Sequence, residues 1–588
     1  MRHSLLRLSV LALLLSITAT CFAYDFEVDG IRYETTSLST VKVTSKVSER
    51  YEGDIVIPES VSYNDKVFDV TAIGEEAFMY CINLTSIIFP NSILSIEKNA
   101  FNFCTNLKEL DFPNSLEYIG EKAFNSCNGL STVIIPNNVS KIDTHAFWQC
   151  RNLTNVTLPN NLEEISSYLF CKCEKLSSIV IPNTVKTIGT SSFSGTGLQD
   201  ISFPDNLFWI GEEAFANCDN LTKIIIPITV DIVGASAFAS CDNLKECIIE
   251  DGVKKLFFNV QTSTDYNFGS AFQHSALEKV YIGRNISYRS SWQPMQIPAP
   301  FSSSKLKYVE FGNNVTEITT KCFLDCDELE SITIPSTVSK IGDYAFSKCD
   351  NLQEIIIPNS VTEIGESAFS LCPELTLINL PNNLQRIERC TFFSCEKLKK
   401  LEIPNSVIFI GEFAFWQCPQ LITINLSCID TIEKSTFEGC TSFESIVIPN
   451  SVVTIGDNSF YGCSNLTEIT IPQSVNSIGN RAFSLCGKLV KVICFNEVPP
   501  SIVKNTFDEV TYNNATLFVP NGSYNFYKEH LYWRYFTNTI ESDEASGINT
   551  TTIKNYSDYM YNLNGTKVDG CSLGKGIFIK NGKKVIIK

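Results

Sequence analysis

The chain has 588 residues, with 46 Lys and Arg against 64 Asp and Glu and a formal net charge of −18. That length exceeds one ordinary globular core, so the chain is either several domains or a repeat array. The negative balance argues against nucleic acid as a partner, because binding its phosphates needs clustered Lys and Arg, and 44% hydrophobic against 19% charged residues excludes a disordered polyelectrolyte.

Residues 1–23 place Arg2 and Arg7 at the head of an apolar run from Leu8 to Ile17, and Cys21-Phe22-Ala23 supplies a cleavage site. This pattern predicts a secretory signal peptide and an exported chain. A lipoprotein alternative would make Cys21 the lipidated residue, although Thr18-Ala19-Thr20 departs from the usual Leu-small-small pattern. The leader is too short for an integral membrane span, and no later stretch is long and apolar enough for one. Residues 24–51 alternate apolar and polar around an Asp29-Gly30 turn, which predicts an N-terminal β cap.

Residues 52–514 are built on one repeat. Its Phe recurs at 78, 101, 124, 147, 170 and 193, a step of 23 residues, then at 215 and 238 and regularly again from 323 to 483. Irregular copies at Phe272, Phe301 and Phe507 bring the array to about 19 coils. In the copy Leu352–Cys372, Leu352, Ile355 and Ile357 form an L-x-x-I-x-I strand. Pro358 ends it, because proline cannot donate to a continuing ladder. Gly365 is expected in a tight turn, and Phe369 and Cys372 close the far side of the coil. One coil cannot bury its own apolar face, but stacked coils can. The expected fold is a right-handed leucine-rich-repeat solenoid of the α/β repeat type, with parallel strands on one side and mostly irregular chain on the other.

Residues 242–322 break the rhythm with two insertions. The second, Ile286 to Pro300, gathers Tyr288, Arg289, Trp292 and Met295 between prolines. These are side-chain types of binding hot spots, so this loop is the expected partner contact; a tolerated loop is the alternative. Residues 515–540 read as a C-terminal cap, with a strand at Ala515 to Val519 and a helix from Gly522-Ser523. Residues 541–548 are a polar linker. Residues 549–588 carry the hairpin signals Asn564-Gly565 and Asn581-Gly582 and predict a small β tail.

Of the 23 cysteines, fifteen sit three residues after a repeat Phe. They read as a buried packing ladder of small hydrophobes, with oxidation between neighbouring coils as the sharper alternative. Cys171/Cys173 and Cys322/Cys326 lack a second pair at zinc spacing, so no metal site is expected. Outside the leader the histidines are His145, His274 and His530, each alone in sequence. With no G-x-S-x-G, H-E-x-x-H, P-loop or EF-hand pattern, no catalytic residue and no cofactor is expected.

The repeat unit resembles the BspA-like, treponemal-type leucine-rich repeat of bacterial surface proteins, over roughly residues 52–520. The tail resembles the C-terminal sorting domain of the type IX secretion route in its Asn-Gly-Lys-Lys-Val ending. The first resemblance implies a cell-surface or secreted protein that adheres to host matrix or to neighbouring cells through protein ligands. A passive structural spacer is the alternative, and an extracellular enzyme a third. The outward positions between the two strand isoleucines offer the surface for binding. They are Ile88, Asp111, Ile134, Thr157, Val180, Ser202 and Ile225, then Thr333, Ile356, Asn379, Glu402, Asn425, Val447 and Thr470.

Overall fold

A 23-residue coil that repeats its apolar positions buries them only against a copy of itself, and the computed structural model shows this stacking throughout. It describes residues 24–46, 49–260, 269–288, 299–302, 305–426 and 428–546, and the strands Met560–Asn562, Lys567–Val568, Gly576–Lys580 and Lys583–Ile587. The fold is a parallel-strand solenoid of about 19 turns with few helices. The chain divides into two units. The first is Met1–Cys247 with Phe257–Ala276 and Tyr288–Trp292; the second is Ile248–Leu256, Leu277–Ser287 and Gln293–Lys588.

The first unit opens with a meander, β1 (Phe26–Val28), β2 (Ile31–Thr35) and β3 (Thr40–Thr44). β3 then pairs parallel with the longer β6 (Lys66–Ile73). Two strands precede β6: β4 (Gly53–Val56) starts the strand ladder, and β5 (Ser60–Tyr63) makes an antiparallel hairpin with β6. Tyr33 is fully buried here, and Phe26 stacks on Tyr63 at 4.4 Å.

Within both units the L-x-x-I-x-I segments pair parallel and in register. Thr132–Ile134 lies against Asn155–Thr157 in the first unit, and Ser331–Thr333, Glu354–Ile356 and Leu377–Asn379 follow one another in the second. The side expected to be mostly irregular carries a second parallel ladder. Its strands are two residues long, such as Tyr118–Ile119 beside Lys141–Ile142 and Lys340–Ile341 beside Glu363–Ile364. Behind them the phenylalanines form a spine. Rings from Phe78 to Phe272 in the first unit stack at 4.9 to 5.8 Å, and rings from Phe301 to Phe507 in the second at 5.3 to 5.9 Å. Burying one such ring stabilises by about 1.5–3 kcal/mol.

The turn carrying the Phe is a third ladder. In the coil of Phe369, the N–H groups of Ser367, Phe369 and Leu371 donate to the carbonyls of Arg389, Thr391 and Phe393 in the following coil, at 2.9, 3.0 and 2.7 Å. The intervening Ala368 and Ser370 close turns within their own coil. This alternation holds the residues two before and two after the Phe at positive φ, 56° for Ser367 and 58° for Leu371. A charged side chain meets this ladder in each unit. In the first unit the carbonyl of Met79 accepts from Arg50 Nη1 at 2.6 Å; in the second the N–H of Leu485 donates to the Asp508 carboxylate at 2.7 Å. Gly365 does not sit at positive φ. Its role is close approach, since a Cβ there would lie 2.5 Å from Asp343 N and 2.7 Å from Gly342 C.

Where the 23-residue rhythm fails, the strands lengthen: Lys279–Arg284 pairs parallel with Tyr308–Asn314, and Arg284 is fully buried. Near the end of the array, α1 (Glu509–Asn514) is capped by Asp508, a helix the sequence pattern did not announce. Strands Thr516–Val519 and Asn538–Glu541 continue the ladder through the segment read as a cap. Between them lie α2 (Tyr524–Glu529) and a 3-10 turn at Trp533–Tyr535. Asp543–Ser546, inside the segment read as a linker, is a further 3-10 turn. In the tail, Gly576–Lys580 pairs antiparallel with Met560–Asn562 and with Lys583–Ile587, Lys580 in register with Lys583; Asn564-Gly565 and Asn581-Gly582 lie outside the described residues.

Candidate interaction surface

Period-two alternation decides which side chains of each strand reach solvent. In Glu354–Ile356 the outer residues are exposed and Ile355 is buried, and the parallel register repeats this in the neighbouring coils. In the second unit the result is a trough of about 1270 Å³. Leu377, Leu401 and Ile424 line its strand floor, and Asn359, Asn382, Asn405, Lys400 and Glu402 line it further. Small-molecule pockets occupy roughly 300–1,000 Å³ and enclose their ligand. A long trough over several strands fits a macromolecular surface better.

Two asparagines of the outward column have a structural duty. Asn379 accepts from Ile357 N at 3.0 Å and donates to Ile357 O at 2.9 Å; Asn425 does the same to Ile403 at 3.0 and 2.8 Å. Each amide imitates one more peptide of the ladder, where the neighbouring strand turns away at its proline. Lys400 and Glu402 are exposed and make no ion pair among the described residues. Charges on the second ladder are neutralised locally, as in Lys340–Glu363 and Arg389–Glu366, both at 2.8 Å. The trough therefore offers an exposed Leu377, two unspent charges and a row of amides.

Of the insertion residues, Tyr288 ends the strand Ile286–Tyr288 and is half-buried. Arg289, Trp292 and Met295 lie outside the described residues. The pattern also missed the turn side, where Phe393 stacks on Trp416 at 4.3 Å and His145 on Tyr168 at 4.4 Å. The signal was present in sequence: Phe393 and Trp416 each follow a spine Phe, 23 residues apart.

All fifteen ladder cysteines are buried free thiols. They do more than fill space. Cys127 Sγ donates to Phe101 O at 3.1 Å and Cys372 Sγ to Phe346 O at 3.1 Å, a bond repeated from coil to coil. Where the column holds a hydroxyl, it donates instead to the Phe carbonyl of its own coil: Thr196 Oγ1 to Phe193 O at 2.8 Å and Ser275 Oγ to Phe272 O at 2.7 Å. Burial pushes the thiols up, to about 12 for Cys150, Cys372 and Cys418, so they hold no reactive thiolate at neutral pH. Cys428, outside the ladder, is disulfide-bonded. His145 shares a coil with Cys150, but burial and then Lys122 lower its pKa, and Cys150 Sγ is engaged with Phe124 O. His530 accepts from Tyr532 N and Trp533 N within the C-terminal turn. No helix of the described residues is long and apolar enough to cross a membrane.

Residues 71–195, 163–292, 298–422, 362–490 and 430–557 match the family described as BspA type leucine rich repeat region. A leucine-rich repeat protein from Bacteroides ovatus is 22% identical over 88% of this chain and 100% of its own, with a TM-score of 0.42. A leucine rich cell surface protein from Faecalibacterium prausnitzii is 23% identical over 80% and 94%, with a TM-score of 0.31. The pneumococcal vaccine antigen PcpA is 17% identical over 88% and 98%, with a TM-score of 0.23. No curated protein matches the chain.

Proposed function

The chain belongs to the BspA-type leucine-rich repeat family, and from that membership we propose that it is an exported surface protein whose strand side holds protein ligands in adhesion to host matrix or neighbouring cells. The observation that carries this reading is the trough of the second unit, where Leu377, Lys400 and Glu402 stand exposed. Exposed apolar area beside uncompensated charge is what a protein partner desolvates and pairs with. The basic, apolar leader of residues 1–23 supports export, and the hairpins after residue 549 support a sorting tail. The insertion carrying Tyr288, Arg289, Trp292 and Met295 is a second proposed contact.

The test is capture by the immobilised chain, without residues 1–23, from a panel of purified extracellular-matrix proteins and bacterial surface proteins. We expect a saturable partner whose affinity falls at least tenfold when Leu377→Ser and Lys400→Glu are combined. A tenfold loss corresponds to about 1.4 kcal/mol. A panel without any partner would favour the structural spacer; a partner indifferent to these changes would move the site off the trough.

A further inference from the structure

The strand face of the first unit carries a pattern that the trough lacks. From Ile88 on, its outward column reads Ile88, Asp111, Ile134, Thr157, Val180, Ser202, Ile225, so an apolar side chain and a small polar or acidic one alternate coil by coil, while ahead of it the exposed Val56 is registered with Ile88. All seven are exposed, and the apolar four stand out at 58%, 62%, 84% and 42% of their full accessibility. Register fixes two of its steps, Ile88 with Asp111 and Ile134 with Thr157, and the other positions follow from the repeat period. Strand propensity alone would accept a β-branched residue at every position and gives no reason for the alternation.

Two coils of about 4.8 Å separate successive apolar side chains by about 9.6 Å. An extended strand does not match this spacing on one face, since its same-face residues recur at about 6.8 Å. An α-helix does: residues i and i+7 lie about 10.5 Å apart. From Ile88 to Ile225 the face spans six coil steps, about 29 Å, against about 31.5 Å for three heptads of helix. Charge narrows the partner further. Glu109, Asp111 and Asp200 are exposed on this face and make no ion pair among the described residues, while Lys223 is neutralised by Glu246 at 3.0 Å. Among the described residues a second copy offers no such helix, since α1 and α2 are six residues long each.

We infer that this face seats a cationic amphipathic helix of another protein, about 20 residues long, with an apolar side chain at every seventh position and Lys or Arg between. The inference rests on the strand side being a protein-binding surface and names the partner class for the first unit. Seating the four apolar side chains removes them from water, and the intervening Asp111, Thr157 and Ser202 meet the helix's polar residues.

The test uses the full chain without residues 1–23 and two synthetic peptides of identical composition. One carries Leu at every seventh position with Lys between; the other carries the same Leu residues at every fifth. Fluorescence anisotropy should show the first binding at least tenfold tighter, and Ile88→Ser, Ile134→Ser, Val180→Ser and Ile225→Ser combined should remove that advantage with the thermal transition retained. Leu377→Ser with Lys400→Glu should leave the peptide's affinity unchanged, which separates this seat from the trough. A photo-crosslinker at position 157 should join the first peptide and not the second. Equal affinities, no binding of the first peptide at 100-fold excess, or an advantage that survives the four-fold variant would each overturn the inference.

Discussion

Replacing Cys127 separates two accounts of the cysteine column. The side chain is fully buried, and its Sγ donates to Phe101 O at 3.1 Å. That carbonyl also accepts the N–H of Cys104 at 3.0 Å, so loss of the thiol leaves it with one donor. Cys127→Ala forfeits the sulfur's contacts and the S–H bond. A net hydrogen bond is worth about 0.5–1.5 kcal/mol, with a thiol at the low end, and the lost volume adds about 1 kcal/mol; the expected cost is about 1.5–2 kcal/mol. Cys127→Ser loses apolar volume but keeps a stronger donor, which at Thr196 and Ser275 turns to the Phe carbonyl of its own coil. Its expected cost is about 1 kcal/mol or less. Urea unfolding of the chain and both variants, with midpoint and slope fitted separately, measures the difference. If Ser costs more than Ala by 1 kcal/mol or so, the column is purely apolar and the hydrogen bond is incidental.

Two further outcomes follow from the same coils. Buried thiols whose folded values lie near 12 against an ordinary 9.0 keep their protons longer folded than unfolded. Their stabilisation is complete below pH 9 and is lost as pH rises through that window, at up to about 1.4 kcal/mol per thiol per pH unit. The urea midpoint should fall steeply between pH 9 and 11, and less steeply when Cys150, Cys372 and Cys418 are all alanine; a flat profile would refute the coupling. Gly462 sits at φ +74°, and a Cβ there would meet nothing nearer than 4.0 Å. Gly462→Ala should therefore cost about 1 kcal/mol in thermal or urea unfolding through backbone conformation alone, and an unchanged midpoint would show that the turn ladder adapts without strain.

The spine and the first strand ladder were legible because Phe369, Ile355 and Ile357 recur at one period, and periodicity reports burial. The turn side was not. Ser367, Leu371 and Lys348 hold left-handed backbone, yet none is a residue type that favours it; the hydrogen bonds of the following coil impose the conformation. The second ladder has strands of two residues, too short for alternation to register. Gly365 was seen for its flexibility when it matters for its lack of a Cβ. On the candidate surface the outward column was legible position by position. The duty of Asn379 and Asn425 was not, since an exposed amide in sequence carries no sign of the carbonyl it will bridge. Arg284, buried in the irregular stretch, stands where no repeat position marks it.

The turn ladder has an electrical meaning. Each coil of the Phe369 type sends three peptide N–H groups toward the following coil and receives three from the one before. Peptide dipoles of about 3.5 D so aligned add along the stacking direction as they do along a helix axis. Within each unit the negative pole then faces the earlier coils and the positive pole the later ones. The charged residues that meet the ladder in the two units have the signs such a field selects. The guanidinium of Arg50 sits on the carbonyl of Met79, and the carboxylate of Asp508 on the amide of Leu485. Removing either charge would expose a pole, and the terminal turns would be the first part of their unit to fray.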